Sequence, residues 1–195
     1  MHQLLRSAMA ALFALACAVG HAQDYPAKPV KIIVPYAPGG TSDFVARLIG
    51  QQYGERMKGV FVVENKPGAG GRLGFDAAAK SAPDGYTLLS TDSSFAMLPA
   101  LYPSLPYASS DLQPVSLLTQ VPLVLIASGK SGFRQLSDVL AYARANPGKL
   151  NFGSGGTGSA THLAGELLKH TARIDIVHVP FKGAGDAMSA VLAGN

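Results

Sequence analysis

The residues best placed by type to do chemistry are gathered in glycine-rich loops. Four such loops occur: Tyr36-Ala37-Pro38-Gly39-Gly40, Gly68-Ala69-Gly70-Gly71, Gly153-Ser154-Gly155-Gly156-Thr157-Gly158 with Ser159 after it, and Phe181-Lys182-Gly183-Ala184-Gly185. Each joins a short β-branched or aromatic run to a segment with helical spacing. Glycine allows close approach of backbone to a ligand. The first N–H groups of the following helix point at that ligand, and the helix dipole adds roughly half a positive charge. Loops of this kind hold anions without needing Arg or Lys. Turn chemistry explains any single one of them, so their recurrence at one topological position carries the inference.

Other chemistries find less support. Residues 153–158 match G-x-G-x-x-G, but a dinucleotide site needs an acid near the end of the next strand. Asp175 begins that strand and Val179-Pro180 end it, so the acid is missing. No G-x-S-x-G elbow, S-x-x-K or H-E-x-x-H is present. His162 and His178 have no Cys or carboxylate paired with them in sequence and read as structural. Lys182 either meets an anion or is a solvated loop lysine. No nucleophile–base pair is legible, and neither a cofactor nor a metal set is expected. The chain is therefore not read as an enzyme. An exported α/β hydrolase, or a sensor that signals to a partner, stands as the alternative.

Those loops need strands and helices to hold them. Val30 to Val34, stopped by Pro35, is expected as a strand, and Thr41, Ser42 and Asp43 start a helix to about Tyr53. Its apolar stripe is Phe44, Leu48 and Ile49. Strands are expected at Phe61 to Glu64 and Tyr86 to Ser90, with a helix to Lys80 between them and a turn at Pro83-Asp84-Gly85. After a Pro-rich passage, Val121 to Ala127 reads as a strand, and Ser137 caps a helix ended by Asn146-Pro147-Gly148. Further strands are expected at Leu150 to Phe152 and Ile174 to Val179, and helices at Ser159 to His170 and Ala184 to Ala193. Strand–helix alternation implies parallel βαβ units, with loops at the carboxyl ends of strands where α/β proteins bind ligands.

Composition narrows the class. Of 195 residues, 48% are hydrophobic and 14% charged, which favours a globular chain over a disordered one. The formal charge of +4 is dispersed, not clustered, so no nucleic-acid partner is expected. Arg6, the apolar run from Ser7 to Val19 and Gly20-His21-Ala22 read as a signal peptide over residues 1–22, cleaved near Ala22 and too short for a membrane span. Cys17, the single cysteine, lies inside it, and Ala14 stands where a lipoprotein signal wants Leu. The exported chain then carries no thiol.

Longer motifs point to a family. The chain resembles the tripartite tricarboxylate transporter receptors of the Bordetella uptake gene type. The resemblance rests on Tyr25-Pro26-Ala27-Lys28-Pro29-Val30, Ile33-Val34-Pro35-Tyr36-Ala37-Pro38-Gly39-Gly40, and Val62-Val63-Glu64-Asn65-Lys66-Pro67-Gly68-Ala69-Gly70-Gly71. It continues through Pro83-Asp84-Gly85-Tyr86-Thr87-Leu88-Leu89, Ala145-Asn146-Pro147-Gly148-Lys149-Leu150-Asn151-Phe152-Gly153-Ser154 and His178-Val179-Pro180-Phe181-Lys182-Gly183. It implies an α/β periplasmic type II solute-binding fold, two βαβ domains closing on a cleft. The first is expected at residues 23–120 and the second at 121–195. It implies a monomeric receptor that takes a small carboxylate to a membrane permease. Carried over, the ligand-binding residues are Tyr36, Pro38, Gly39, Gly40, Asp43, Ala69, Gly70, Gly71, Asp92 and Ser93 of the first domain. Those of the second are Ser154, Gly155, Thr157, Gly158, Ser159, Phe181, Lys182 and Gly183. Members of the family continue past the equivalent of Asn195, so a fold incomplete at its C-terminus, with an open sheet edge, is expected.

Overall fold

The computed structural model describes residues 24–195. The expected signal peptide, its cleavage site and Cys17 lie outside the described residues.

The first sheet is parallel, in the order β2-β1-β3. Its strands are β1 (Val30–Val34), β2 (Phe61–Asn65) and β3 (Thr87–Leu89). Central β1 reads Val-Lys-Ile-Ile-Val and is buried at every position but Lys31, because helices cover both of its faces. Ile32 and Val34 pack with Ala46 of helix α1 (Thr41–Met57), and Phe61, Val63 and Leu88 close that side. On the other face, Phe75 of α2 (Arg72–Ala79) and Leu98 of α3 (Ser94–Leu101) join Tyr107, flanked by Phe95, Tyr102 and Leu89.

The second sheet pairs β4 (Asn151–Ser154) with β5 (Val177–Pro180), again parallel. Helix α4 (Leu136–Ala145) brings Ala143 against Ile174 and Ile176, with Phe152 and Leu168 packed beside them. Leu168 belongs to α5 (Ala160–Ala172), and α6 (Ala184–Ala193) packs on β4.

Four expectations are corrected. Phe44 and Leu48 are 67% and 47% exposed, and α1 instead buries Asp43, Ala46 and Gly50. Gly50 lies against Ile32, Phe61 and Val63 of the sheet, where a Cβ would stand in ordinary contact at 3.4–3.9 Å. Residues 121–127 form no strand, because among the described residues no strand pairs with them. Helix α4 starts at a Gln135 cap closed by Asp138, not at Ser137. Helix α3 arises at the Pro-rich passage, where no helix was expected; Pro99 sits within it.

Candidate functional site

Loop 36–40 leaves β1 at Pro35 and is fixed from below. Tyr36 is buried, and its hydroxyl donates to Asp92 Oδ1 at 3.2 Å and shares a 2.6 Å hydrogen bond with Ser94 Oγ. Burial first, and then the Asp92 charge, push the phenol well above its usual pKa, so it stays a donor. Asp92 Oδ1 also accepts the Ser94 N–H at 3.0 Å, which places it at the start of α3.

Asp43 is the other anchor. Its Oδ2 accepts the Gly39 N–H at 3.0 Å and Arg47 Nε at 3.1 Å. Its Oδ1 accepts Arg47 Nη2 and Asn65 Nδ2, both at 2.9 Å. Asn65 Nδ2 also donates to the Tyr36 carbonyl at 3.0 Å. Burial alone would raise the Asp43 pKa, but Arg47, the Gly39 amide and Asn65 outweigh it and hold the carboxyl below its usual range. Both oxygens of Asp43 are thus engaged inside the protein, and its position is that of a loop clamp.

The helix starts fall into two kinds. Helices α1, α2 and α6 begin at Gly40, Gly71 and Gly183, and none of these caps makes a side-chain hydrogen bond. A glycine cap leaves the first-turn N–H groups without a side-chain acceptor of their own. Helix α5 differs. Ser159 Oγ accepts the His162 N–H at 3.3 Å, Thr161 Oγ1 accepts the Gly155 N–H at 2.9 Å, and His162 Nδ1 accepts the Gly158 N–H at 3.2 Å. The amides of loop 153–158 are therefore largely spent within the loop, which departs from the free-amide expectation.

Ser154 is 1% exposed. Its Oγ lies 2.6 Å from His178 Nε2 and accepts the Gly156 N–H at 3.1 Å. The His178 ring in turn packs on His162, with centroids 4.0 Å apart. The sequence reading missed this serine–histidine contact because its partners are 24 positions apart on β4 and β5. His178 is held below the usual imidazole pKa, by burial first and then by His162. No cluster of three metal-ligating side chains occurs among the described residues.

The two sets of loops touch. Ala37 N–H donates to the Lys182 carbonyl at 3.0 Å. A Cβ on Gly185 would stand 3.1 Å from the Pro38 carbonyl oxygen, and one on Gly183 would stand 3.1 Å from Ala37 N. Gly70 faces the Thr157 carbonyl, and Gly158 faces Leu98 and Tyr102. Pro38, Gly39, Ala69, Thr157 and Lys182 are exposed, Ser93 stands at the start of α3, and Gly71, Gly155 and Ser159 are buried. Among nearby aromatic side chains, Phe95 stacks on Tyr107 in the core and Phe181 packs over Gly153. A surface groove of about 540 Å³ lies elsewhere, between α1 and β2. Its lining mixes Gly50, Gly54, Gly59, Val60, Phe61 and Val63 with Arg47, Gln51 and Glu55, and it holds none of the helix starts described above, so the loops are the candidate site.

The sequence model of the tripartite tricarboxylate transporter family receptor matches residues 45–195. The chain belongs to this family. A UPF0065 protein of Bordetella pertussis is 35% identical over 191 residues, covering 97% of this chain and 59% of its own length. BugT of the same organism is 42% identical over 176 residues, covering 89% of this chain and 54% of its own length. Among solved structures, periplasmic binding protein BugD superposes with a TM-score of 0.83 at 33% identity, covering 87% of this chain and 57% of that one. MatC of Rhodopseudomonas palustris with bound malate gives 0.78 at 34%, covering 87% and 58%. An R. palustris protein with adipate gives 0.74 at 29%, covering 88% and 58%. The fold is therefore that of periplasmic solute-binding proteins, and the chain spans little more than half the length of these relatives.

Proposed function

We propose that this member of the receptor family captures a small carboxylate outside the cytoplasmic membrane and presents it to a permease of the tripartite tricarboxylate type. One observation carries the reading. Helices α1 and α6 both start at glycines without side-chain caps, and their loops meet at the hydrogen bond from Ala37 to Lys182. Two helix N-termini aimed at one seam form an anion site made of backbone. Malate in MatC and adipate in its neighbour are carboxylates of the matching charge. In this reading Pro38, Gly39, Gly40, Ala69 and Gly70 face the ligand from the first unit, and Thr157, Lys182 and Gly183 from the second, while Gly71, whose N–H is held by the Gly68 carbonyl, closes the turn beneath them. Tyr36, Asp43, Asp92 and Ser154 hold those loops in shape. The crossing between the units lies in the extended stretch near residue 120, and opening about it admits the ligand.

The test is a thermal melt with malate, succinate, glutamate, citrate and benzoate. A ligand at a hundred times its Kd adds about 2.7 kcal/mol to native stability. A rise in midpoint with one carboxylate class is expected, and a cooperative melt that none of them shifts would sink the reading.

A hydrolytic reading has one observation in its favour, the Ser154–His178 contact. It is the weaker of the two. Ser154 is closed to solvent and its oxygen already accepts the Gly156 amide, whereas a nucleophile must reach its substrate. Ester turnover by the chain that Ser154→Ala abolished would reverse this ranking.

A further inference from the structure

Arg72 is a cation that the loop-based reading does not use. It is the first residue of α2, directly after loop 69–71, and its Nε donates to the Ala69 carbonyl at 3.0 Å. Its guanidinium carbon lies 3.9 Å above the Tyr102 ring. Tyr102 reaches across to the second set of loops, since its hydroxyl is 3.4 Å from where a Gly158 Cβ would stand. The guanidinium is therefore held over a ring whose far end reaches the facing loop, next to the seam where Gly70 meets Thr157.

Two contacts fix its orientation and leave the terminal nitrogens available. The backbone bond uses Nε, and the guanidinium carbon is held over the Tyr102 ring. Among the described residues Arg72 enters no ion pair. The nearest carboxylate along α2, Asp76, is one turn on and is taken by Lys80 at 2.7 Å. Arg47 makes the contrast, because its guanidinium is committed to Asp43 and Asn65. An arginine held over an aromatic ring, with Nε alone bonded to backbone, can offer its outer N–H groups to a bidentate carboxylate.

We infer that Arg72 is a specificity-determining residue that receives the second carboxylate of a dicarboxylate ligand. The inference rests on the receptor reading, in which the helix starts hold the first carboxylate. The backbone amides recognise any carboxylate, and Arg72 separates dianions from monoanions of similar length. Lys182 is a poorer candidate for this task, being an exposed point charge with no contact that fixes its direction.

The experiment measures calorimetric binding of succinate, malate, glutarate and butyrate to the whole chain, alongside Arg72→Gln and Arg72→Lys. The wild-type chain should prefer a dicarboxylate over butyrate by about tenfold or more, as loss of a charged hydrogen-bonding partner implies. Arg72→Gln should remove that preference and leave butyrate binding within about twofold. Arg72→Lys should restore part of it, since charge is kept and the fork is lost. A dicarboxylate preference that survives Arg72→Gln overturns the inference. So does a wild-type preference for butyrate, or equal loss of both ligand classes with a lowered melting point, which would make Arg72 structural. If no carboxylate binds the wild-type chain, the receptor reading itself falls and takes this one with it.

Discussion

At Gly70 the first loop passes so close to the carbonyl of Thr157 that a Cβ would collide with it. The residue also has φ of 67°, where a side chain adds a steric cost of about 1–2 kcal/mol. Gly70→Ala is therefore expected to lower the melting midpoint by a few degrees and to abolish the carboxylate-induced rise, because the loops can no longer meet. A variant that keeps the full ligand-induced shift would show that the seam at Gly70 is not part of the site. Asp43 gives a second residue-scale prediction, one with a sign. Its native pKa is depressed, so its ionised form stabilises the fold above the unfolded carboxylate value near 3.9, and that stability is lost as pH falls below it. Asp43→Asn should cost about 1–2 kcal/mol at pH 7, at the modest end because Arg47 is half exposed. The gap between the two chains should close below about pH 4, as chemical denaturation at several pH values will show. A gap that is constant with pH would mean that the charge of Asp43 is irrelevant to the clamp.

At the scale of elements, α5 meets β4 and β5 through a pair of imidazoles, and that contact titrates. His178 has its pKa lowered in the fold, so the neutral ring is the favoured form. Its stabilising contribution is complete above the unfolded value near 6.5 and is lost as pH falls through that value. Glu166 opposes the shift, while His162 and Lys169 strengthen it. The melting midpoint should thus drop between pH 7 and pH 5, and His178→Gln should flatten that part of the profile. An unchanged slope in the variant would assign the acid sensitivity to other groups. This contact also marks what the sequence could disclose. The strands Val30–Val34 and Phe61–Asn65 and the helix Ala184–Ala193 were legible, because a β-branched run and a glycine followed by helical spacing are local signals. The loops that join them were legible for the same reason. The pairing of Ser154 with His178, the inward turn of Asp43 and the stack of Arg72 on Tyr102 were not, since each depends on which elements become neighbours. Helix α1 illustrates the limit, because its existence was legible but the stripe expected to be buried, Phe44 and Leu48, faces solvent, and Asp43, Ala46 and Gly50 lie against the sheet instead.

For the molecule as a whole, the stretch joining the two sheets has an apolar surface that the local pattern had assigned to a strand. Val115 and Val124 are 84% and 77% exposed, and Leu117, Val121, Leu123, Leu125 and Ile126 are exposed beside them. Aliphatic side chains gathered this densely in extended, unpaired backbone present open N–H and C=O groups together with a sticky face. Such a segment associates with copies of itself when nothing else covers it. The 195-residue chain is accordingly expected to self-associate with rising concentration, in contrast to the monomer that the family resemblance implies. Sedimentation velocity across a concentration series would measure this directly. Placing Lys at Val124 and at Ile126 should shift the chain toward monomer. The melting midpoint should hardly move, because side chains this exposed bury little area to lose. If the unmodified chain stays monomeric throughout the series, residues 115–126 are not an associating surface. If the double variant associates as strongly as the parent, the exposed Phe44 and Leu48 face of α1 becomes the next surface to charge.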